Sequence, residues 1–360
     1  MLGRSSLVLA LASGLLLPAP AALAADYGCV NCGGGDYSVD YSGKGGDHDR
    51  YVVDPDSKYF MSDDDQSYAD PNQNFVLRGS VGIAGITANE HVYYFTTGPQ
   101  NLSLLKWESL APMASADAKL RLGDAWTLRG HIDAAMSGDS TMTDYDWLGF
   151  SPSLSFDDWD HRSISPNTSL DWYLNGSLAI GRDMPVSDAF TVNFNGGVKY
   201  TDVQWTAKGG TYIYSTAGFR DTTGTIPDVN AVRYRQQLPT AFLGADATIK
   251  DGAWSLDATT KVGLLVSAQS QDHHYLRVPP MIITDNLSWG SMASIDARLG
   301  YDISEHLGAF LEGSYEKVVA THTPSTYTNM NTGAVLSQSN TVGGAELDTW
   351  SLKAGLKGQF

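Results

Sequence analysis

Residues 254 to 266 read WSLDATTKVGLLV, and this stretch decides the fold. Uncharged and mostly apolar side chains occupy every second position from Trp254 to Val266, whereas Asp257 and Lys261 fall on the alternate positions. A period of two places successive side chains on opposite faces of a β-strand. The run is about twice as long as an ordinary strand of ~5–6 residues, as a tilted crossing of a bilayer requires. It therefore predicts a transmembrane strand with one face toward lipid.

The same alternation continues from Asn74 to the end of the chain. Runs of this period begin at Leu170, at Leu287 and at Trp350, and the last of them ends in Phe360. A final strand that ends in Phe is typical of barrels assembled in Gram-negative outer membranes. The alternation also explains why no long apolar segment is visible, because only every second residue of a barrel strand faces lipid.

The connections between these runs are unequal in length. Short turns on one side and long loops on the other are typical of an outer-membrane barrel. The short polar turns lie near 122–124, 250–252 and 304–306, and the long segments near 139–166, 209–231 and 321–345. We predict an all-β fold, a ten-stranded antiparallel transmembrane β-barrel, since closure requires an even count. The predicted strands lie near 75–95, 101–121, 124–138, 167–186, 189–207, 232–249, 252–269, 283–302, 306–320 and 346–360.

The composition of the chain limits the classes of partner that we expect it to bind. Among 360 residues, 40 Asp and Glu outnumber 23 Lys and Arg, so the formal charge is −17. A negative field repels phosphates, so nucleic acid is not expected as a partner. Beyond the N-terminus no stretch approaches the roughly 18 apolar residues of a membrane helix, which excludes a helical membrane protein.

The first 73 residues divide into two segments that precede the predicted barrel of residues 74–360. Residues 1–24 carry Arg4, an apolar core and the small-residue site Ala22-Leu23-Ala24, the pattern of a removed secretory signal peptide. Residues 25–73 are a Gly- and Asp-rich acidic extension. Within the extension, we expect Cys29 and Cys32 to form a local disulfide in an exported protein. A calcium site at Asp63, Asp64 and Asp65 is a weak alternative, because consecutive acids lack the spacing of a known calcium loop.

Two short motifs could carry chemistry. They are Asp144-Tyr145-Asp146-Trp147 and Asp272-His273-His274-Tyr275. In extended backbone, residues two apart point to the same face. Asp144 and Asp146 therefore form one same-side pair, and Asp272 and His274 form another. If both pairs face the barrel interior, a water between them could be activated by His274, which Asp272 would orient. Each motif alone is also compatible with a solvated loop.

Other kinds of centre are less well supported by the sequence. No G-x-S-x-G is present for a serine nucleophile. A metal site at His273 and His274 is disfavoured because adjacent strand residues point to opposite faces. We therefore expect no metal and no cofactor.

At these motifs the sequence resembles the omptin family of outer-membrane endopeptidases. The similarity extends over about residues 80 to 360, with the pieces in the family's order. They are Met142–Trp147, Thr206–Ser215 with Gly218–Asp221, Asp272–Tyr275 and Ala354–Lys357. The resemblance implies a ten-stranded barrel in the outer membrane that acts as an aspartic-type endopeptidase, with a groove facing the exterior.

The resemblance also implies roles for individual residues. Asp144 and Asp146 would form one catalytic wall, and Asp272 and His274 the other, with the attacking water between Asp144 and His274. The substrate would be a basic peptide or protein, cleaved next to a basic residue that Glu90 binds. The family's second acid in that pocket stands two residues before the dyad Asp, where this chain has Ser270. We therefore expect weaker or altered selectivity for basic residues, although the negative charge still attracts cationic peptides.

Lipid contacts depart from the family in a similar way. Omptins bind lipopolysaccharide partly through arginines on strands five and six, and the matching positions here are Asp202 and Gln237. Activation by lipopolysaccharide is therefore implied by the family but not matched by its motif, unless Lys199, Arg233 or Arg235 takes this role. We expect a monomer in contact with outer-membrane lipid.

Two further functions are compatible with a barrel of this size. One is a non-enzymatic adhesin or small porin, in which the polar residues only line the interior. Ten strands leave little open lumen, so a wide pore is not expected. The other is a lipid-A hydrolase, for which no serine motif is recognisable.

Overall fold

The computed structural model describes residues 74–94, 101–123, 125–149 and 155–360. The signal peptide, the acidic extension and both cysteines lie outside the described residues. The described part forms β-strands and one short 3₁₀ turn at Phe156–Asp158, and none of its elements is an apolar helix long enough to cross a membrane. The strands are β1 (Phe75–Tyr93), β2 (Asn101–Leu122), β3 (Trp126–Ala135), β4 (Asp139–Asp146), β5 (His161–Ser187), β6 (Phe190–Tyr214), β7 (Thr222–Asp251), β8 (Trp254–Leu265), β9 (Gln269–His274), β10 (Met281–Asn286), β11 (Ser291–Asp302), β12 (Leu307–Asn329) and β13 (Val335–Gln359).

The strands form one closed antiparallel sheet. The pairings between these strands are all antiparallel, and β1 closes the ring by pairing with β13 from Val76–Gln359 to Val92–Gly343. The pairs β3 and β4, β8 and β9, and β10 and β11 each occupy one position in the ring, because both members pair with the same neighbours. The 13 strands therefore make a ring of about 10, which confirms the predicted fold class.

Lipid-facing side chains mark the height of the membrane. Val81 and Leu243 are 68% and 70% exposed on the outer surface, which is the expected position for apolar side chains that contact acyl chains. Aromatic residues border this apolar belt at both edges, as in other membrane barrels. Trp126, Trp254 and Tyr301 lie at the end with the short turns, and Tyr200, Tyr315 and Trp350 lie at the opposite edge.

Three breaks separate the membrane-spanning strands from an upper rim. Ser137, Ser267 and Trp289 have positive φ angles of 57°, 54° and 73°. They lie between the members of the three strand pairs that share a ring position. Gly138 also belongs to the first break, where its φ is 118° and a Cβ would collide with the carbonyl oxygen of Leu110. Strands β4, β9 and β10 therefore lie above the membrane-spanning part.

The interior is filled rather than open. Just below the rim, the rings of Trp107, Trp205 and Tyr234 pack against one another with centroids 5.7 to 6.5 Å apart, and all three side chains are fully buried. We call these three residues the aromatic floor. The indole of Trp205 donates a hydrogen bond of 2.8 Å to Ser109 Oγ, which fixes its orientation. An apolar core continues around the floor, so the barrel interior is closed at this level.

Below the floor the interior is polar, and several of its charges form ion pairs. Lys353 Nζ lies 3.1 Å from Asp133 Oδ1 and 2.9 Å from Glu312 Oε1, and Arg298 also contacts Glu312. Buried charges require such partners. A polar cavity of about 300 Å³, lined among others by Asp117, lies in this lower half, away from the rim.

Two details of the sequence prediction were wrong. The long segments near 139–166, 209–231 and 321–345 are largely strand, because β4 to β7, β12 and β13 extend above the membrane, where neither face needs to be apolar. The runs that begin at Leu170 and Leu287 do not keep one face. Leu170 is buried inside and Leu174 is exposed to lipid, because the strand has a bulge between Leu170 and Trp172. Leu287 is buried inside and Ile295 is exposed to lipid, because the break at Trp289 inverts the alternation.

Candidate active site

Asp272 and His274 form one wall of the rim. Both belong to β9, which is paired with β7 on one side and β10 on the other. The period of two turns both side chains inward, where they are 1% and 6% exposed. His274 Nε2 lies 2.6 Å from Asp272 Oδ2, within ion-pair distance, so the carboxylate can orient the ring. The predicted pairing of these two residues is present in the structure.

Asp144 and Asp146 lie on the opposite wall. They belong to β4, which is paired with β2 and β5. Burial and the neighbouring Asp146 carboxylate raise the pKa of Asp144 well above its usual value, and Asp272 contributes to this shift from across the interior. Burial also raises the pKa of Asp146. Ser103 Oγ donates a hydrogen bond of 3.4 Å to Asp144 Oδ1. The two predicted walls therefore face one another closely enough to interact electrostatically.

Glu90 lies in the same interior space. It belongs to β1, in the same cross-strand row as Leu105 and Asp144, and it is 1% exposed. Burial raises the pKa of Glu90 well above its usual value, and the carboxylates of Asp272 and Asp285 add to this effect. Its Oε2 accepts no hydrogen bond from the described residues. A buried acceptor of this kind is suited to a donor that arrives with a ligand.

Ser270 faces inward two residues before Asp272, as predicted, and is 2% exposed. Its Oγ donates a hydrogen bond of 3.4 Å to Oδ2 of Asp285 on the adjacent strand β10. Asp285 was not predicted from the sequence as a site residue. Continuing the alternation back from Ile295 would put this residue on the lipid face, and only the break at Trp289 places it inside.

Tyr214 and Arg277 were also missed. The ring of Tyr214 lies 4.8 Å from that of His161, and burial with the charges of Asp144 and Asp146 raises the pKa of Tyr214 to about 12. Arg277 follows β9, and its positive charge partly offsets the raised pKa of Asp144. The alternation Tyr212-Ile213-Tyr214 could have indicated that Tyr214 shares a face with Tyr212. Nothing in the sequence indicated where the side chain of Arg277 points.

Metal ligands do not converge in the described ranges, where no cluster of three or more His, Cys, Asp or Glu side chains could hold an ion. His273 points away from His274, since the alternation of β9 leaves it half-buried on the outer face.

The lipid-facing positions form a separate polar cluster. Asp202 accepts hydrogen bonds from Arg235 Nε at 2.8 Å and Trp172 Nε1 at 3.1 Å, and Gln237 donates one of 2.8 Å to Tyr200. The suggestion that Lys199 contacts lipid is wrong, because its side chain is buried inside the barrel and forms an ion pair with Glu316.

The fold and the rim site define a class of protein, an outer-membrane β-barrel with two opposed acidic walls above a closed interior. The chain belongs to the omptin family, whose model matches residues 71–360. Similar proteins include Protease 7 of Escherichia coli O157:H7, 24% identical over 268 residues that cover 72% of this chain and 81% of the relative. The plasminogen activator of Yersinia pestis is 24% identical over 291 residues, which cover 80% of this chain and 90% of the relative.

A solved structure shows the same fold. The crystal structure of the outer membrane protease OmpT from Escherichia coli matches with a TM-score of 0.75 and 22% identity, covering 81% of this chain and 98% of that chain. These comparisons confirm the family resemblance, the barrel, the outer-membrane location and the protease class. The roles of individual residues stay predictions.

Proposed function

We propose that the protein is an aspartic-type endopeptidase that hydrolyses peptide bonds next to basic residues. The observation that carries this proposal is the 2.6 Å pair of His274 Nε2 and Asp272 Oδ2, which faces the carboxyl pair of Asp144 and Asp146 inside the rim. A base on one wall and proton-holding acids on the other are the groups that water-mediated peptide hydrolysis needs.

The proposed reaction needs no covalent intermediate. A water between Asp144 and His274 attacks the carbonyl carbon while the neutral ring of His274 accepts one of its protons. Asp272 stabilises the imidazolium that forms. The C–N bond then breaks, and the proton passes from His274 to the leaving amine. Asp144 and Asp146, whose pKa values are raised, hold a proton that can bond to the carbonyl oxygen as negative charge develops there.

The substrate we propose is a basic peptide or protein. Glu90 lies in the interior beside Asp272, and a Lys or Arg side chain would satisfy its unpartnered oxygen. The formal charge of −17 would also speed the encounter with cationic chains. A solvated charge on a hairpin would not have the 1% exposure of Glu90.

We propose that the barrel acts as a monomer in outer-membrane lipid, with the groove facing the exterior and without a cofactor. Lipopolysaccharide activation through positions 202 and 237 is not supported, because Asp202 is paired with Arg235 and Gln237 is neutral. Of the other basic groups considered, Arg233 and Arg235 belong to the upper part of β7, and Arg235 is already engaged with Asp202.

A peptide-library digest tests the proposed function. We expect the refolded, full-length protein to cut the library next to Arg or Lys, with fragment ends identified by mass spectrometry. The same barrel carrying Asp144→Asn serves as the background control, because it keeps the shape of the site but removes a catalytic acid. A library left intact, or cut without enrichment of basic residues, would contradict the proposal.

A further inference from the structure

Ser270 and Asp285 are direct cross-strand neighbours in the rim. They form a register pair between β9 and β10, and both are 2% exposed on the interior face. Side chains directly opposite one another in an antiparallel sheet have Cβ atoms about 4.5–5.5 Å apart. A carboxylate at position 285 can therefore reach much of the space that a carboxylate at position 270 would reach.

Two hydrogen bonds fix the carboxylate of Asp285, and a glycine on a third strand leaves room for it. Its Oδ2 accepts the hydrogen bond from Ser270, and its Oδ1 accepts one from Ser325 on β12. On β13, a Cβ at Gly343 would collide with this carboxylate and with Ser325 Oγ, so the absence of a side chain there makes room for Asp285. Two hydroxyl groups therefore fix the Asp285 carboxylate in the site, and Gly343 leaves the space that it occupies.

The charges around Asp285 are negative. Its carboxylate lies against Gly343, whose cross-strand partner Val92 stands two residues from Glu90 on β1, and its charge raises the pKa of Glu90. The Asp272 carboxylate raises the pKa of both Glu90 and Asp285. Among the described residues, Glu90 and Asp285 form no ion pair with Lys or Arg, and Asp272 pairs with His274. Buried carboxylates need cationic or hydrogen-bonding partners, and Glu90 Oε2 has none. A cation that enters from outside would supply such a partner.

We propose that Asp285 is a specificity-determining residue, which forms with Glu90 a two-carboxylate pocket for the basic side chain of the substrate. This inference rests on the proposed function. The acid absent at position 270 is supplied from the neighbouring strand, so selectivity for basic residues is not weakened by Ser270. Two carboxylates suit the planar fork of a guanidinium better than a single ammonium, so Arg is preferred over Lys.

The test compares two peptides that differ only before the scissile bond, one with Arg and one with its neutral isostere citrulline. The readout is the ratio of their kcat/KM values. We expect Asp285→Asn to lower this Arg preference about tenfold or more, the effect of losing one charge-assisted hydrogen bond. The matched control is Asp348→Asn, which removes a rim carboxylate that pairs with Lys317 on the outer face; its Arg preference should stay at the wild-type value.

A charge-swap variant gives a second measurement. Ser270→Asp combined with Asp285→Ser should recover the Arg preference that Asp285→Asn loses, because either position serves the same pocket. An unchanged preference in folded Asp285→Asn, or an active swap variant without Arg preference, would overturn the inference. A wild-type protein that cuts neither peptide would instead overturn the proposed function, so the two failures are distinguishable.

Discussion

The charge state of Asp285 changes near neutral pH. Burial raises the pKa of Asp285 to about 7, although hydrogen bonds from Ser325 and Ser270 oppose the shift. The titratable groups that face it are Glu90 from β1, Asp272 from β9, and the hydroxyls of Tyr234 and Tyr327 from β7 and β12. The carboxyl of Asp285 is neutral below this pKa and attracts a cation only above it.

This titration predicts how selectivity depends on pH. We expect the Arg-over-citrulline ratio of kcat/KM to rise as the pH increases from about 6 to 8, because Asp285 ionises over that window. In Asp285→Asn the ratio should rise less over this window, because only the ionisation of Glu90 can still increase the preference for Arg. The measurement is the ratio at each pH, which cancels effects on the catalytic groups common to both peptides. A wild-type ratio that is flat over the window would contradict the assignment.

At the scale of single residues, the sequence identified the groups that follow a strict period of two. Asp144, Asp146, Asp272 and His274 lie on short uninterrupted strands, so their spacing alone fixed their shared faces. Asp285 could not be found in this way. The face of Asp285 depends on the break at Trp289, and no pattern in the sequence marks that break.

At the scale of elements, the aromatic floor supports the acid walls. Tyr234 is the cross-strand partner of both Trp205 and Asp272, and Trp107 stacks on Tyr234 with centroids 5.7 Å apart. The floor therefore connects β2, β6 and β7 beneath the site. It also separates the catalytic space from the polar lower half of the barrel.

Removal of one ring of the floor should destabilise the barrel. Trp107 is fully buried, so we expect Trp107→Ala to lower the free energy of unfolding by about 3–5 kcal/mol and to reduce peptide cleavage, because Tyr234 and the adjacent Asp272 lose their support. The measurement is denaturant unfolding in detergent micelles. Trp289→Ala is the matched control, since Trp289 is 80% exposed and its removal leaves no cavity. Equal losses in the two variants would contradict a structural role for the floor.

The rim elements show why the lengths of the strands were underestimated. Below the breaks, lipid imposes apolar side chains on alternate positions, and the predicted strands follow that pattern closely. Above the breaks, both faces of a strand can be polar, so the sequence of residues 321–345 looks like a loop although most of it belongs to β12 and β13. Backbone hydrogen bonds between neighbouring strands, and not hydrophobic patterning, maintain this part of the sheet.

At the scale of the whole molecule, the fold followed from the sequence because one physical requirement acts on all strands. A barrel in lipid needs closure and an apolar outer face, and both leave traces in length, turn spacing and alternation. The contacts inside the barrel left no comparable trace, because a period of two predicts which residues point inward but not which of them meet across the interior. The filled interior also argues against a small porin, because the aromatic floor and the apolar core around it close the barrel below the rim.

The central claim is that a folded outer-membrane barrel cleaves peptides with His274 as the base. The most direct test compares His274→Ala with His273→Ala in cleavage of an Arg-containing peptide, after both variants are shown to migrate as folded barrels. The two histidines are adjacent in β9 but point to opposite faces, so the pair controls for residue type and position. We expect His274→Ala to lower kcat by about 100-fold or more, while His273→Ala stays near wild type. Full activity of folded His274→Ala, or an equal loss in both variants, would show that His274 is not the base.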